Sequence, residues 1–535
     1  MASNNPQVYV LKQGTSRSKG KGAQHENFRA ARLIASLVRT TLGPRGMDKM
    51  LVNTLGDMQI TNDGATILKD LELSHPGAKM MVEVAKAMDE ECGDGTTSAV
   101  VLAGELLKQA DDLVDKNIHP TVIAKGYKMA EEKALADLEE LSLKVDYNDV
   151  KKMRKVASTA MMSKAVTADR EMLAVIAVDA VRTLAEERNG ILHVDLKNLQ
   201  VVKRQGSSTN ATEFVSGVII DREPVSRAMP TRIEKARIAL ISGPMEVAKT
   251  QVDEFVEVSE PEELRAFMRE EEAMLRKQVD FVKACKANVI FCGKGIDDRI
   301  QYDLAQAGVL AFRNISEGDL DLLAKATGAD VVTKAAELDK ESLGAAGLVN
   351  IREHEEKEYA FVTGCKNPKA VSIFIRGSTV QVVDEIERSL NDAFNVVRLV
   401  VEDGKLSVGG GATAMELSMR LREYASSVGG REQLAIKHYA DALEVIPVAL
   451  AENAGRDPVN VLIDLRKAHK DGDVRAGFDL FKGKVVDMEK MDVLEPYKVA
   501  RQTIISATEL AVMLVRIDSV VMAKGAAEDN HTPLL

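Results

Sequence analysis

Apolar residues recur at intervals of three and four along both ends of the chain, which is the spacing of helices that bury one face. In the N-terminal part, this pattern predicts helices over about 27–39, 76–91, 97–116 and 120–143. A short β-hairpin is predicted between residues 50 and 61. Long helical patterns return over 410–525. Both ends of the chain are therefore predicted to be mostly helical.

The middle of the chain has a different pattern. Short β-like runs alternate with helical stretches, and the runs lie at 215–220, 238–241, 288–291, 309–311 and 370–375. This alternation predicts an α/β module. A dense charged stretch at 257–276 is typical of a solvated helix face. Helical ends that enclose an α/β middle predict one domain built from both termini, with other domains inserted into it.

Composition and charge exclude several classes of protein. The 535 residues include 82 acidic and 71 basic side chains, a formal net charge of −11, and only 4% are aromatic, with no tryptophan. A nucleic-acid-binding protein would need a basic surface and stacking rings. No run approaches the roughly 18 apolar residues of a membrane span, and the polar N-terminal stretch lacks the apolar segment of a secretory signal.

The cysteines and histidines give no sign of a metal site or a disulfide framework. The eight histidines are scattered without zinc-ligand spacing. No CxxC occurs among the four cysteines, which predicts a reducing, cytoplasmic setting. They are Cys92, Cys285, Cys292 and Cys365.

The strongest local signal for chemistry is the stretch GDGTTS at 93–98, which opens a predicted helix. Two glycines let the backbone approach a ligand, and a helix start offers unpaired N–H donors to a phosphate. Asp94 would repel a bare phosphate, but it suits a Mg²⁺ ion held between the two. The alternative is a simple helix cap, because Asp, Thr and Ser are all favoured there. The residues alone leave both interpretations open.

Other candidate motifs are weaker. Leu42-Gly43-Pro44 is either an ordinary helix stop or a second phosphate-facing turn. Asp63 is either the cap of the next helix, which the sequence favours, or a carboxylate that faces a metal. The segment 477–485 resembles a Walker A loop but has the wrong spacing and lacks the Ser or Thr that binds Mg²⁺. The glycines at 409–411 fit a dinucleotide motif, but no βαβ pattern surrounds them.

Taken together, several motifs resemble those of group II chaperonins in order and spacing. They are LGPRGMDKM (42–50), ITNDGATIL (60–68), HPGAKM (75–80), GDGTTS (93–98), GGGATAMELS (409–418), ALEVIPVALAENAG (442–455) and Glu495-Pro496. The likeness spans about residues 25–525 and is closest to the archaeal thermosome, with the eukaryotic cytosolic chaperonin subunits more distant. Each motif alone is weak, but seven in register are very specific.

The resemblance implies a multidomain α and α/β chaperonin fold with three domains. A mostly helical equatorial domain would bind ATP, a small intermediate domain would relay motion, and an α/β apical domain would bind non-native protein. A helical protrusion of the apical domain would close the chamber without a separate lid protein. The implied ranges are 1–148 with 405–535 (equatorial), 149–217 with 372–404 (intermediate), 218–371 (apical) and about 246–276 (protrusion).

The resemblance also implies roles for particular residues. Asp392, on the intermediate domain, would be the catalytic aspartate, Asp63 would lie near the attacking water, and Asp94 would bind Mg²⁺. The turn and the loop that contact the phosphates would be Leu42, Gly43, Pro44, Gly93, Asp94, Gly95, Thr96, Thr97 and Ser98, with Ser163 and Lys164 sensing the γ-phosphate. The ribose and base pocket would comprise Gly409, Gly410, Gly477, Asp479 and Glu495.

The function implied is an ATP-driven chaperone that encloses non-native proteins in a stacked double ring of identical or homologous subunits in the cytoplasm, with no nucleic-acid or membrane partner. The chain departs from the family pattern at Ala414 and Ala500, in the sequence Arg516–Ser519, and in a tail without Gly/Met repeats. None of these touches the phosphate or hydrolysis residues, so ATPase activity is expected. A scaffold subunit that turns over ATP poorly and a nicotinamide oxidoreductase are the competing hypotheses.

Overall fold

A computed structural model describes residues 16–52, 56, 58–162, 169–247, 261–366 and 368–522. By packing, the chain divides into two compact units, one of residues Met1–Thr167 with Asn391–Leu535 and one of Ala168–Leu390. The predicted combination of both chain ends into one body is confirmed. The finer division into three domains stays a prediction.

The helices of the described residues are α1 (Lys21–Arg39), α2 (Gly64–Lys69), α3 (Pro76–Cys92), α4 (Thr96–Asp115), α5 (Pro120–Leu141), α6 (Val150–Ala160), α7 (Arg170–Leu184), α8 (Pro261–Cys285), α9 (Asp298–Gln306), α10 (Glu317–Thr327), α11 (Val380–Asp403), α12 (Ala412–Ser427), α13 (Glu432–Leu443), α14 (Val445–Asn453), α15 (Pro458–Lys470) and α16 (Tyr497–Val515). Within the described residues, no helix is both long and apolar enough to cross a lipid bilayer.

The strands are β1 (Ser16–Lys19), β2 (Lys49–Val52), β3 (Met58–Thr61), β4 (Leu143–Lys144), β5 (Ala185–Arg188), β6 (Ile191–Val194), β7 (Leu199–Gln205), β8 (Glu213–Val215), β9 (Gly217–Ile220), β10 (Arg232–Ile241), β11 (Val289–Cys292), β12 (Leu310–Phe312), β13 (Val331–Val332), β14 (Gly344–His354), β15 (Lys357–Thr363), β16 (Val371–Gly377), β17 (Lys405–Val408), β18 (Ala476–Asp479), β19 (Lys484–Asp487), β20 (Leu494–Pro496) and β21 (Ser519–Met522).

The unit built from both chain ends has an aliphatic helical core. Helix α4 is its centre and buries most of its side chains against α1, α3, α13 and α16. Small residues allow the closest approaches, because a side chain at Gly104 would collide with Ala35 of α1. The buried rings of Tyr127 and Tyr439 meet edge to face at 5.5 Å between centroids. Their hydroxyls are satisfied by the Leu106 carbonyl and by Thr508.

Short antiparallel sheets complete this unit. β2 pairs with β3 in the predicted hairpin, β1 with β21, and β18 with β19, while β17 lies between β4 and β20. The strand before the glycine loop is β17, and its neighbours are antiparallel. A dinucleotide-binding fold needs a parallel βαβ unit there. The rejection of that fold is therefore confirmed.

The other unit is the predicted α/β module. Its seven-stranded sheet runs β12-β11-β10-β14-β15-β9, with β13 beside β10, and its three-stranded sheet runs β7-β16-β8. β10, β11 and β12 are parallel, as alternation with helices requires, while β14 and β15 form an antiparallel hairpin. The predicted class, α and α/β in separate bodies, is confirmed.

Two predicted segments differ from the structure. The run 215–220 is two strands, since β8 pairs with β16 and β9 pairs with β15 in another sheet. The charged stretch begins its helix at Pro261, and residues 248–260 of the predicted protrusion lie outside the described residues. The start of α8 is mostly exposed, including apolar Phe267 at 62% of its surface. The prediction of a solvated helix face is confirmed for this part of α8.

Candidate functional site

The unit built from both chain ends contains a cavity of about 360 Å³. Several loops and helix starts that are far apart in sequence border it. Fourteen predicted site residues line it: Leu42, Gly43, Pro44, Asp63, Asp94, Gly95, Thr96, Thr97, Ser98, Asp392, Gly409, Gly410, Asp479 and Glu495. Gly93 and Gly477 flank the lining residues, and Ser163 and Lys164 lie outside the described residues.

The turn between α3 and α4 presents a helix start to the cavity. Gly93 ends α3 with φ 67°, and Gly95 precedes α4 with φ 80°, a backbone conformation that favours glycine. No side chain caps α4. The Asp94 carboxylate instead accepts from the Gly95 N–H at 2.6 Å. The simple-cap interpretation thus has no side-chain cap bond to support it, and a helix start of this kind is suited to an anion.

Asp63 is the cap of α2, as the sequence favours, and it also borders the cavity. It caps α2, and its Oδ2 accepts from the Thr66 N–H at 2.8 Å and from the Thr66 hydroxyl at 2.7 Å. The same side chain borders the cavity. Gly64 lets the start of α2 pack against the start of α4, since a Cβ there would lie 2.6 Å from Thr97 Oγ1. A cap can thus also face a ligand.

The Leu42-Gly43-Pro44 turn is held from behind by a residue to which sequence reasoning assigned no role. Asn453, at the end of α14, donates from Nδ2 to the carbonyl oxygens of Arg39 (3.0 Å) and Leu42 (2.8 Å). Gly43 has φ 81° and lies against Leu450. Asn453 belongs to the motif 442–455, so its position in a motif was the available signal.

Another part of the cavity wall joins the glycine loop to β18. Phe478 donates its N–H to the Gly410 carbonyl at 3.1 Å. Gly477 permits this approach, because a Cβ there would lie 2.5 Å from Met488 Cγ and 2.9 Å from the Gly410 oxygen. Gly411 (φ 80°) precedes α12, again without a side-chain cap. Gly477 therefore shapes the wall from behind.

Asp479 brings an unsatisfied acceptor to this wall. Its Oδ1 accepts from the N–H groups of Phe481 (2.9 Å) and Lys482 (3.1 Å). Its Oδ2 is buried with no hydrogen-bond partner among the described residues, and the Lys482 ammonium lies 3.7 Å from it, at ion-pair distance. A ligand donor at Oδ2 would supply the missing hydrogen bond. The hydroxyls of a sugar are donors of the right kind.

Negative charge accumulates at the helix start. Burial, followed by the nearby Asp94 carboxylate, raises the pKa of Glu495 to about 7, although the Ser407 hydroxyl, whose oxygen lies 3.3 Å away, partly offsets the rise. Asp63 and Asp392 border the same cavity. Within the described residues, no group of three or more His, Cys, Asp or Glu side chains forms a metal site by itself. Carboxylates such as those of Asp63, Asp94 and Asp392, together with phosphate oxygens, are the kind of ligands that Mg²⁺ prefers.

Apolar side chains that sequence reasoning did not select also line the cavity. They are Phe478, Leu480, Phe481, Met488, Met491 and Val493, among others. Phe481 is 62% exposed at the cavity border, with the Arg45 guanidinium 5.7 Å from its ring centroid. A concave, mostly apolar pocket with a few polar groups is typical of small-molecule and cofactor sites.

Comparison with known proteins identifies relatives over nearly the whole chain. A sequence model of the TCP-1/cpn60 chaperonin family matches residues 34–525. The thermosome subunit beta of Archaeoglobus fulgidus is 51% identical over 523 residues, which are 98% of this chain and 96% of the relative. A thermosome subunit of Pyrococcus horikoshii is 51% identical over 524 residues, 98% and 95% of the two chains.

A solved structure agrees with these relatives. It is the open-state monomer of a group II chaperonin from Methanococcoides burtonii, which is 42% identical and aligns with a TM-score of 0.60. The alignment covers 79% of this chain and 100% of the solved one. The likeness thus extends to the three-dimensional fold.

Proposed function

The chain belongs to the TCP-1/cpn60 chaperonin family, and from that premise we propose how its cavity binds and hydrolyses ATP. As a group II chaperonin subunit it is an ATPase and an ATP-dependent chaperone, which encloses non-native proteins in a double-ring chamber with a built-in lid. ATP hydrolysis drives the cycle between open and closed chambers. The competing hypotheses, a scaffold subunit and an oxidoreductase, are set aside.

The triphosphate binds at the start of α4. Gly93 and Gly95 allow close approach of the backbone, and the N–H groups and hydroxyls of Thr96, Thr97 and Ser98 donate to phosphate oxygens. The proposal is supported by the absence of a side-chain cap on α4. Leu42, Gly43 and Pro44 cover the opposite side. Ser163 and Lys164 are proposed to sense the γ-phosphate.

Asp94 is proposed to hold Mg²⁺ together with phosphate oxygens. When bound, Mg²⁺ neutralises charge on the triphosphate. Asp392 accepts the proton of the attacking water, and Asp63, fixed by Thr66, orients that water. The nucleoside half lies between the loop at Gly409 and Gly410 and the wall formed by β18 (Gly477, Asp479) and Glu495. Asp479 Oδ2 would accept from a ribose hydroxyl.

The three-domain division remains part of the proposal, with the equatorial domain at 1–148 and 405–535, the intermediate domain at 149–217 and 372–404, and the apical domain at 218–371. The protrusion at about 246–276 closes the chamber. Non-native proteins and other subunits of the ring are the proposed partners, with no nucleic acid, membrane or separate lid protein. A cytoplasmic location is proposed because all four cysteines are free.

The single observation that carries the mechanism is the meeting of Asp63, Asp94 and Asp392 with the uncapped start of α4 in one cavity. Replacing Asp392 by Ala should leave ATP binding intact and lower steady-state hydrolysis by about 100-fold or more, the contribution typical of a positioned general base. Asp384→Asn, on the same helix and paired with Lys203 outside the cavity, is the matched control. Wild-type hydrolysis in the Asp392→Ala protein would remove this residue from the mechanism.

A further inference from the structure

A buried histidine lies behind the wall of the cavity that β18 and α12 form. His469, in the last turn of α15, has no exposed side-chain surface. Its Nε2 lies 2.8 Å from the carbonyl oxygen of Ala476, the first residue of β18, and its Nδ1 lies 2.8 Å from Glu416 Oε2 on α12. One imidazole therefore connects the two elements. It does not itself line the cavity.

The hydrogen-bond chemistry fixes the role of one ring nitrogen and makes the other share a proton with Glu416. A carbonyl oxygen can only accept, so Nε2 carries a proton. Burial alone would raise the pKa of Glu416, but hydrogen bonds from His469 and Arg420 outweigh it and hold that pKa below its usual range. The hydrogen bond between Nδ1 and Glu416 Oε2 also needs a proton, so one lies between these two atoms. His469 and Glu416 are thus joined by a buried hydrogen bond.

The pair has few ways to relax. Arg420 Nε donates to the other oxygen of Glu416 at 2.9 Å, so the carboxylate is held from two sides. Removing one partner of a buried, hydrogen-bonded pair leaves the other uncompensated, which is strongly unfavourable. The position of the Ala476 carbonyl relative to α12 is therefore tightly defined.

The elements joined by His469 carry the nucleoside side of the cavity. From Ala476, β18 continues directly to Phe478, which binds the Gly410 carbonyl, and to Asp479 with its unsatisfied oxygen. From Glu416, α12 leads back within two turns to Gly411, which borders the cavity. A shift of β18 against α12 would therefore move Asp479 relative to Gly411.

We propose that His469 is a positioning residue of the nucleotide site, which fixes β18 against α12 and so sets the affinity for the nucleoside half of ATP. The proposal rests on the proposed function of the cavity. Because the phosphate residues lie on other elements, His469 should affect binding and leave the hydrolysis step unchanged.

Two substitutions separate the two hydrogen bonds of the ring. In His469→Asn the amide nitrogen replaces Nδ1 and loses Ala476, whereas in His469→Gln it replaces Nε2 and keeps Ala476. We expect His469→Asn to raise the Kd for ADP with Mg²⁺ by about tenfold, the equivalent of one lost hydrogen bond to a fixed group. The kcat for ATP at saturation should stay within about twofold of the wild type. His469→Gln should restore most of the affinity.

His438→Asn is the matched control. His438 is a partly buried histidine of the same unit, whose Nδ1 lies 2.6 Å from Gln109 Oε1, and it does not border the cavity. Asparagine keeps the hydrogen bond to Gln109 and loses only the long Lys116 contact of 3.4 Å, so the Kd for ADP should not change. Binding is measured by titration calorimetry on the purified full chain.

The outcomes distinguish this inference from the proposed function. If the wild-type protein binds no ADP, the function proposed for the cavity fails. If the wild type binds ADP and folded His469→Asn binds it equally well, only the role of His469 is overturned. If His469→Asn does not fold, Glu416→Gln takes its place, because glutamine keeps the shape of the side chain and removes its charge. The Kd for ADP is again the measured quantity, and an unchanged Kd overturns the role of His469.

Discussion

Gly95 offers a direct test of whether the tight backbone turn at the start of α4 is needed for stability and nucleotide binding. Its φ is 80°, and a Cβ at this position would lie 2.7 Å from Val499 Cγ1 and 2.9 Å from Met88 Cε. Alanine therefore meets two separate costs, the backbone conformation and the collision. The residue also borders the cavity, so any shift of the loop reaches the ligand.

Typical values give the size of each cost. An L-residue in the left-handed region loses about 1–2 kcal/mol relative to glycine, and forcing a methyl group into packed side chains costs about 1–3 kcal/mol. Gly95→Ala should thus destabilise the protein by about 2–5 kcal/mol in all. A loop that moves to relieve the collision loses at least one N–H contact to phosphate, which lowers nucleotide affinity by roughly fivefold to tenfold.

Gly455→Ala separates the two costs. Gly455 lies in the same unit with φ 67°, and a Cβ there has nothing within 4 Å. It should show only the backbone cost and unchanged nucleotide affinity. Chemical unfolding and titration calorimetry with ADP measure both quantities for both variants. If Gly95→Ala loses no more stability than Gly455→Ala and binds ADP like the wild type, the tight turn is not what builds the phosphate site.

Two further predictions follow from side chains that border or support the cavity. The pKa of Glu495 is about 7 in the folded protein against an ordinary value of 4.5, so the folded state binds more protons and loses stability as pH rises from about 4.5 to 7. Glu495→Gln should therefore gain stability over the wild type towards pH 8, by up to about 3 kcal/mol. Unfolding both proteins without nucleotide at several pH values measures this gain, and a stability difference that does not change with pH would contradict the prediction. Asn453→Leu removes both hydrogen bonds to the Leu42 turn, so it should lower the affinity for ADP several-fold and the stability by about 1–3 kcal/mol. Calorimetric titration and unfolding of the variant measure the two effects. An unchanged affinity would mean that the turn keeps its shape without Asn453.

The sequence predicted those parts of the fold that depend on local periodicity. Helices α3, α4 and α5 follow from regular apolar spacing and from proline or glycine at their ends. The sequence predicts one strand over the run 215–220, because a β-like run does not reveal which sheet each half will join. Pairing in two different sheets is a long-range property.

The candidate site likewise has parts that local sequence predicts and parts that only long-range packing brings together. The stretch 93–98 has a local chemical signature, so it could be selected from the residues alone. Asp392 has no such signature, because only packing brings α11 to the start of α4, and the family resemblance alone indicates its role. Asp63 was ambiguous, because one carboxylate can cap a helix with one oxygen and border a cavity. Asn453 acts through two carbonyl oxygens more than 400 residues away in sequence.

The exposed ring of Phe481 has an optical consequence. The chain contains no tryptophan, and its paired tyrosines Tyr127 and Tyr439 are enclosed in the helical core. A Phe481→Trp substitution would therefore introduce the sole indole fluorophore, at the mouth of the cavity and beside the Arg45 guanidinium. Nucleotide binding to this pocket could then be followed by exciting the indole near the red edge of its absorption band. The method needs no added label and can follow a single turnover.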